Sequence, residues 1–353
     1  MPAPDNLVSV IMPVRDGERF VSATIASVLA QTHRTLELVA VDDGSTDGTP
    51  AILAAAAARD SRVRILRGEH AGVAAARNCA IAEAQGELIA PVDADDLCHP
   101  TKLERQVAEF TRAGDRVGVV YCWSIGIDEN DFVVEQGQCE SNASGRVLEM
   151  LIESNFLGNA STPMFRRACV EKVGGYDPSL HAARAQGAED WKLYLALAES
   201  CEFGVVPAYL VAYRRAPTSM STDTRAMERS MTMVGDWIAA RSPELAAAHR
   251  RRRDWFTQCY LADQALGRNR VGAALRHQLR ADAARPSRLV HPSAIEDFVR
   301  LLARSAGLRR PDWTKPTKRQ LVALPGADQA WVPARSTPRW EDAAAIGRDG
   351  FTR

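Results

Sequence analysis

Short apolar runs alternate with stretches of helical periodicity through the first hundred residues. LVSVIMP (7–13), LELVAV (36–41) and ELIAPV (87–92) have the length and composition of buried strands. Apolar residues three and four positions apart, as in residues 18–31, indicate helices between them. Since parallel strands need a crossover connection, the alternation predicts an α/β fold with an open, mostly parallel sheet flanked by helices. Further strands are predicted at 63–66 and 117–123, and further helices at 49–59, 74–84 and 100–113.

Two acidic turns follow strands of this predicted sheet. VDDGSTDGTP (41–50) places Asp42 and Asp43 side by side, and VDADD (92–96) ends the run ELIAPV. Like charges repel, so adjacent acids are better explained by a turn that binds a ligand than by a plain loop. In open α/β sheets ligands bind at the carboxyl ends of the strands, where both turns fall. One of the first two aspartates can accept a hydrogen bond from a nucleobase N–H; the alternative is a purely structural turn.

Asp93 and Asp95 stand two positions apart in the second turn, so their carboxylates can converge on one divalent cation. Mg²⁺ and Mn²⁺ prefer oxygen ligands and retain waters, and diphosphate oxygens fill other positions. The alternative is a solvated turn in which one of the two caps the helix near Pro100. The position of the turn at a strand end favours the metal site.

Charged residues near two predicted helix starts are further candidates. Arg77 lies in the first turns of the helix after Gly72, where it would contact a base or phosphate or form a surface salt bridge. Glu189 and Asp190 begin the helix of GAEDWKLYLALAE (187–199), a position that the helix dipole favours in any protein. The functional alternative is a general base that takes a proton from a hydroxyl group.

YRR (213–215) and TSMS (218–221) form the last polar candidate. Their cations, Arg214 among them, and their hydroxyls could contact a leaving diphosphate. An edge strand followed by a turn explains the same residues without any ligand.

Composition limits the class of protein. With 46% hydrophobic and 25% charged residues the chain is globular. Its seven cysteines form no CxxC pair, which predicts reduced thiols in a cytoplasmic protein. No secretory signal or run of ~18 apolar residues is found, so any membrane contact is expected to be peripheral. The net charge is zero, yet fourteen arginines against five acids lie between Arg250 and Arg310, a basic surface suited to anionic lipid, an acidic partner or nucleic acid.

Seven motifs follow one another through residues 7–221: VSVIMPVRDGE, VDDGSTDGT, GVAAARN, GELIAPVDADD, GGYDPSL, AEDWKLYLAL and YRR…SMS. Their order and spacing resemble those of the family 2 glycosyltransferases with the GT-A fold. Single motifs of this kind are weak, but the ordered series is specific. The resemblance implies transfer of a sugar from a nucleotide-diphosphate donor, usually a UDP-sugar, with inversion at the anomeric carbon and with Mn²⁺ or Mg²⁺ as cofactor.

The resemblance also implies roles for individual residues. They are the donor-binding Pro13, Arg15, Asp42, Asp43, Arg77, Asp93 and Arg214, the metal-binding Asp95 and Asp93, and the catalytic Asp190 and Glu189. Asp190 would be the base, with Glu189 as the second candidate, and Asp93 would also face the ribose.

The sequence departs from the family pattern at two positions. Arg15 stands where the family often has an aromatic residue that stacks on the base; a guanidinium plane can also stack there. Ala216 stands where a histidine often follows the tyrosine-arginine motif, so one contact to metal or diphosphate is missing.

The expected domain organisation follows from the same comparison. Residues 1–224 would form the GT-A domain, with a nucleotide-binding half (1–123) and an acceptor and catalytic half (124–224). Residues 225–310 would form a basic helical extension, and 311–353 an irregular tail. The extension is either a structural cap or a peripheral contact with an anionic membrane.

Three acceptor classes stay open: a saccharide, a lipid-linked saccharide of cell-envelope polysaccharide synthesis, or a small molecule. No nucleic-acid partner is expected. Two other functions are weighed. A nucleotidyltransferase acting on a sugar phosphate would need a glycine-rich loop with Arg and Lys after the first strand, and PVRDGER is a poor match. A non-catalytic nucleotide-sugar-binding scaffold should lack the base or the metal acid, whereas Asp190 and Asp95 are both present.

Overall fold

The computed structural model of the chain describes residues 6–216, 223–268 and 270–285, with the backbone alone at 134–139. Nine strands lie within these residues: β1 (Val8–Val14), β2 (Leu36–Asp42), β3 (Val63–Arg67), β4 (Leu88–Pro91), β5 (Leu97–Cys98), β6 (Val117–Ile127), β7 (Val133–Cys139), β8 (Pro163–Arg166) and β9 (Glu202–Arg214). Eleven helices lie within them: α1 (Val21–Leu29), α2 (Thr49–Arg59), α3 (Val73–Glu83), α4 (Lys102–Ala113), α5 (Leu148–Glu153), α6 (Arg167–Lys172), α7 (Ser179–Ala182), α8 (Glu189–Ala198), α9 (Thr224–Arg241), α10 (Pro243–Gly267) and α11 (Val271–Ala284).

The strands form one sheet in the order β3-β2-β1-β4-β8-β6-β9-β5, with β7 paired to β6. Successive side chains of a strand point to opposite faces, and β1 shows this directly. Ile11 packs in the core that includes α3 and α8, whereas Val10 and Met12 pack in the core that includes α1, α2 and α4. Helices therefore cover both faces of the sheet, as the alternation in the sequence predicts.

The sheet is mixed, because antiparallel pairs that the sequence did not predict join the parallel ones. The pairs β1–β2, β1–β4, β2–β3 and β6–β9 are parallel, and β4–β8, β5–β9, β6–β7 and β6–β8 are antiparallel. The parallel pairs of the first half have crossover helices between them in the sequence. The short strand β8 instead lies between β4 and β6, although it is distant from β4 in the sequence. No local sequence pattern predicts such a pairing.

The described part of the predicted C-terminal extension is helical. α10 ends at Gly267 and α11 begins at Val271. The preceding helix α9 packs Val234 and Ile238 into the same core as the sheet. The predicted domain boundaries themselves stay predictions, and residues 286–353 lie outside the described part of the chain.

Candidate active site

The first acidic turn is held by backbone N–H groups. Asp42 Oδ1 accepts a hydrogen bond from the Ser45 N–H at 2.9 Å. The two oxygens of Asp43 accept from the N–H groups of Ala71, at 3.0 Å, and Gly72, at 2.9 Å. These bonds fix the end of β2 against the start of α3 and stabilise two adjacent, buried acids. Each carboxylate retains lone pairs for a ligand, so base binding by Asp42 and Asp43 stays a prediction.

Pro13 and Arg15 lie at the end of β1, beside this turn. Pro13 is buried in register with Val41 of β2. The Arg15 side chain is exposed, and its Nε lies 3.8 Å from the carboxylate of Asp16. Asp16 in turn accepts a hydrogen bond from the Thr46 N–H at 2.8 Å. Arg15 is thus placed at the rim of the same sheet edge, with its guanidinium open to solvent.

The second acidic turn meets Arg77 of α3. Arg77 Nη2 donates to Asp93 Oδ1 at 2.5 Å, and the Asp93 N–H donates to Ser161 Oγ at 3.0 Å. Arg77 is buried, and its guanidinium lies 5.1 Å from the centre of the Tyr176 ring. Burial opposes the charge of Arg77, but the carboxylate of Asp93 outweighs it and raises the pKa of Arg77. The sequence left open whether this arginine forms a salt bridge; it forms one inside the site.

Asp95 and Asp96 have different environments. Burial, followed by the charge of Asp93, raises the pKa of Asp95 to about 6. Asp96 is fully buried, where Oδ2 accepts from Ser161 Oγ at 2.5 Å and Oδ1 accepts from the Arg214 N–H at 2.9 Å. Burial also raises the pKa of Asp96 well above its usual value. Asp96 therefore stabilises the turn from its buried side. The sequence did not indicate this role for the last aspartate of VDADD.

Arg214 ends β9 and clamps the same turn. Its Nε donates to the backbone oxygen of Asp95 at 2.8 Å, and its Nη1 donates to that of Asp128 at 2.7 Å. Its Nη2 lies 2.6 Å from the carboxylate of Asp131, and its guanidinium lies over the ring of Phe20. These contacts occupy the buried guanidinium, and its contact with a donor diphosphate stays a prediction. TSMS (218–221) lies outside the described residues.

Asp190 lies at the start of α8, close enough to the Arg77–Asp93 ion pair for both charges to affect its pKa. Its Oδ1 accepts from the Trp191 N–H at 2.7 Å, and its Oδ2 lies 3.4 Å from Asn155 Nδ2. Burial raises the pKa of Asp190 to about 7. The nearby charge of Arg77 opposes this rise in the pKa, and the charges of Glu189 and Asp93 add to it. Groups from α3, the second acidic turn and α8 therefore share one electrostatic site.

Glu189 is more deeply enclosed than Asp190. Only 3% of it is exposed, and its Oε2 accepts from the Gly187 N–H at 2.7 Å. Its Oε1 is buried and has no hydrogen-bond partner among the described residues. Burial raises the pKa of Glu189 as well. This enclosure makes Asp190 the better placed of the two to meet a substrate.

Tyr176 is part of the site, although the sequence suggested no role for it. Its backbone N–H donates to Asn78 Oδ1 at 2.8 Å, and Asn78 Nδ2 donates to its backbone oxygen at 2.7 Å. Its buried hydroxyl has no hydrogen-bond partner among the described residues. Burial raises the pKa of Tyr176, which Arg77 lowers and Asp190 raises. The motif GGYDPSL was visible in the sequence, but the contact of this ring with α3 was not.

The described residues provide only some of the ligands that a divalent cation needs. The described residues contain no group of three or more His, Cys, Asp or Glu side chains placed to bind a metal. Asp93 and Asp95 are close enough for the charge of Asp93 to raise the pKa of Asp95. A cation beside them would relieve this repulsion. The pair fits a metal that takes one or two carboxylates from the protein and its other ligands from a diphosphate and water.

Solved glycosyltransferase structures of the GT-A class share this fold. A mannosyltransferase from Pyrobaculum calidifontis, in complex with GDP-Man and Mn²⁺, superimposes with a TM-score of 0.54 at 18% identity and 87% coverage of both chains. TarS 1–349 from S. aureus, in complex with UDP-GlcNAc, gives 0.55 at 18% identity, covering 85% of this chain and 92% of that one. The predicted fold class is confirmed.

The family follows from the sequence matches. The family model described as glycosyl transferase family 2 matches residues 9–172. The glucosyltransferase WfgD of Escherichia coli, named for UDP-Glc and α-D-GlcNAc-diphosphoundecaprenol, is 27% identical over 246 residues, which cover 66% of this chain and 87% of that protein. Matches to other glycosyltransferases are partial, and the chain spans 54% and 33% of the length of two of them. Residues 9–172 thus match glycosyltransferase family 2, and the family resemblance predicted from the motif series is confirmed over these residues.

Proposed function

We propose that the chain transfers a sugar from a nucleotide-diphosphate donor, by preference a UDP-sugar, to an acceptor hydroxyl with inversion at the anomeric carbon. One observation carries the proposal: Asp190, a carboxyl group whose pKa is raised to about 7, faces the Arg77–Asp93 pair at the sheet edge. A general base works best when its pKa lies near the working pH. The names of the E. coli relative and of the TarS complex, with UDP-Glc and UDP-GlcNAc, support the choice of donor.

The donor would lie along the carboxyl edge of β1, β2 and β4. Asp42 and Asp43 would bind the base, and Pro13 would shape its pocket. The exposed guanidinium of Arg15 would stack on the base, since its plane is open to solvent. Arg77 would then hold Asp93 in place beside the ribose.

Asp190 would act on the acceptor. Its carboxylate takes the proton of the attacking hydroxyl as the acceptor oxygen bonds to the anomeric carbon, and the nucleoside diphosphate leaves from the opposite face. This in-line displacement inverts the configuration in one step. The hydrogen bonds from Trp191 and Asn155 orient the carboxylate.

Asp95, with Asp93, would hold Mn²⁺ or Mg²⁺. Such an ion neutralises charge that develops on a leaving diphosphate. The protein's own contribution is to keep the turn rigid, through Arg214 on its backbone and Asp96 beneath it.

The acceptor is proposed to be a lipid-linked saccharide at the cytoplasmic face of a membrane. The name of WfgD supports this class of acceptor. None of the described helices is long and apolar enough to cross a bilayer. Leu275 and Leu279 on α11 are 38% and 59% exposed, with Arg276 and Arg280 beside them. A surface of exposed leucines and arginines suits a peripheral contact with anionic lipid.

Thermal unfolding with a panel of UDP, GDP, TDP, CDP and ADP, with and without Mn²⁺, tests the donor site. A diphosphate at about one hundred times its dissociation constant should stabilise the protein by roughly 2.7 kcal/mol. We expect a metal-dependent shift with UDP, which Asp95→Asn removes. A shift with triphosphates alone would favour a nucleotidyltransferase, and no shift with any nucleotide would refute the donor site.

A sedimentation assay tests the membrane contact separately. We expect the protein to bind vesicles of phosphatidylglycerol and phosphatidylcholine but not vesicles of phosphatidylcholine alone. Replacing Leu275 and Leu279 by serine should weaken that binding and leave the nucleotide-induced thermal shift unchanged. Equal binding to both kinds of vesicle would refute the electrostatic part of the contact.

A further inference from the structure

Two cysteines from different parts of the chain lie together against strand β6. Cys169 lies on α6, and Cys201 lies between α8 and β9. Both lie against Gly118 of β6. A Cβ atom built on Gly118 would be 2.6 Å from Cys201 Sγ and 2.8 Å from Cys169 Sγ, distances too short for any side chain. Because Gly118 has no Cβ atom, the two sulfur atoms can both lie next to its Cα position.

The sulfur atoms interact with each other in the reduced protein. The hydrogen bond with the Cys169 thiol lowers the pKa of Cys201, an effect that Ser200 and Lys172 reinforce. The same bond and burial raise the pKa of Cys169, which therefore keeps its proton. Ser200 Oγ also lies 3.7 Å from Cys201 Sγ. Both cysteines are partly exposed, so a small oxidant can reach them.

We propose that Cys169 and Cys201 are a site of reversible oxidation, at which a peroxide or a low-molecular-weight disulfide converts the thiol pair into an intramolecular disulfide. With hydrogen peroxide, the Cys201 thiolate attacks the O–O bond to give a sulfenic acid and hydroxide. The Cys169 thiol then displaces that oxygen as water, forming the S–S bond. Two thiols lose two electrons and two protons in all, and one peroxide becomes two waters. A dithiol reductant reverses the change.

A second cysteine pair supplies a natural control. Cys98 and Cys122 are 4% and 1% exposed, and burial raises their pKa values to about 11 and about 12. The Cys122 thiol also donates a hydrogen bond to the Thr162 backbone oxygen at 3.3 Å. Buried thiols with raised pKa values stay protonated, and a dissolved oxidant does not reach them.

The oxidised site would lie at the far end of α8 from the proposed base. α8 has ten residues, so its two ends are about 15 Å apart at ~1.5 Å per residue. The disulfide would tie the C-terminal end of α8 to α6 without touching Glu189 or Asp190. This proposal is therefore independent of the proposed transfer reaction.

Thiol mapping by mass spectrometry on the folded, full-length protein tests the proposal. The reduced protein is treated with hydrogen peroxide or, separately, with oxidised glutathione, and free thiols are then alkylated before digestion. We expect a peptide pair linked through Cys169 and Cys201 that is two hydrogens lighter than the reduced peptides, with Cys98 and Cys122 recovered as thiols. Dithiothreitol should restore both free cysteines.

Single variants complete the test. In Cys169→Ser, Cys201 should be trapped as a sulfenic acid or as a mixed disulfide with glutathione, and the linked peptide should be lost. Cys98→Ala should leave the linkage unchanged. Recovery of Cys169 and Cys201 as separately alkylated thiols after oxidation, or linkage of either to another cysteine, would overturn the proposal on the unmutated protein alone.

Discussion

Arg77 Nη2 lies 2.5 Å from Asp93 Oδ1, and this ion pair joins α3 to the turn that follows β4. The charge of Arg77 also reaches Asp190, whose pKa it lowers against the effect of burial. One buried arginine thus acts on two carboxyl groups with different proposed tasks, donor binding and proton transfer. Substitutions at these residues should separate those tasks.

Asp190→Asn should reduce sugar transfer by about 10²–10⁴-fold, the usual contribution of a general base, and leave nucleotide binding unchanged. Glu189→Gln is the matched control, because Glu189 is enclosed and one oxygen serves the Gly187 N–H. We expect it to change the rate far less. Initial rates with a radiolabelled donor measure both. If Glu189→Gln were the more damaging change, the base would have to be reassigned.

The rate should rise with pH through about 7, because Asp190 accepts a proton only when it is ionised. Arg77→Gln removes the charge that lowers the pKa of Asp190, so the rising limb should move to higher pH. A profile of kcat/KM from pH 5 to 9 measures the rising limb in the unmutated protein and in Arg77→Gln. An unchanged limb in Arg77→Gln would show that another group controls the profile.

Stability should depend on pH in the opposite sense. The pKa of Asp190, about 7 in the folded protein, lies above the value of ~3.9 for an unfolded aspartate. The folded state therefore holds this proton more tightly, and the free energy of unfolding falls as pH rises from about 4 through about 7. Urea unfolding at pH 5 and pH 7.5 should show a smaller difference for Asp190→Asn than for the unmutated protein. An equal difference would mean that Asp190 is not the source.

Asp95 and Asp96 are neighbours whose substitutions should have different effects. Asp95→Asn should abolish the Mn²⁺-dependent part of nucleotide binding with little loss of stability. Asp96→Ala should instead destabilise the protein by about 1–3 kcal/mol, because Ser161 and the Arg214 N–H lose a buried acceptor. Calorimetric titration of UDP, with and without Mn²⁺, and thermal unfolding distinguish the two. Metal-dependent binding that survives in Asp95→Asn would contradict the metal assignment.

The sequence predicted local elements well and distant pairings poorly. Helix α2 occupies 49–59 as predicted, because its start follows a turn and its alanines favour a helix. β8 and β5 went unrecognised because they have only four and two residues, too short to show a period.

Within the candidate site, the motif order predicted roles for Asp93, Asp95 and Asp190, which follow a strand or begin a helix, and those roles stay predictions. It could not show that Arg214 turns inward onto the turn of Asp95, or that Asp96 is the buried brace. Those roles depend on contacts between residues 65 to 119 positions apart. The side chain of a charged residue can point to solvent or to protein from the same sequence.

The place of β8 between β4 and β6 has a consequence for the order in which the protein is made. When β4 has left the ribosome, one of its edges has β1 beside it and the other has no partner until Pro163–Arg166 emerge. At ~5–20 residues per second, that interval lasts on the order of 4–15 s. The first part of the sheet is therefore synthesised with an unpaired strand edge at Leu88–Pro91. Nascent chains that stall within this interval would expose it to other strands, which makes this stretch the point where translation speed and aggregation are coupled.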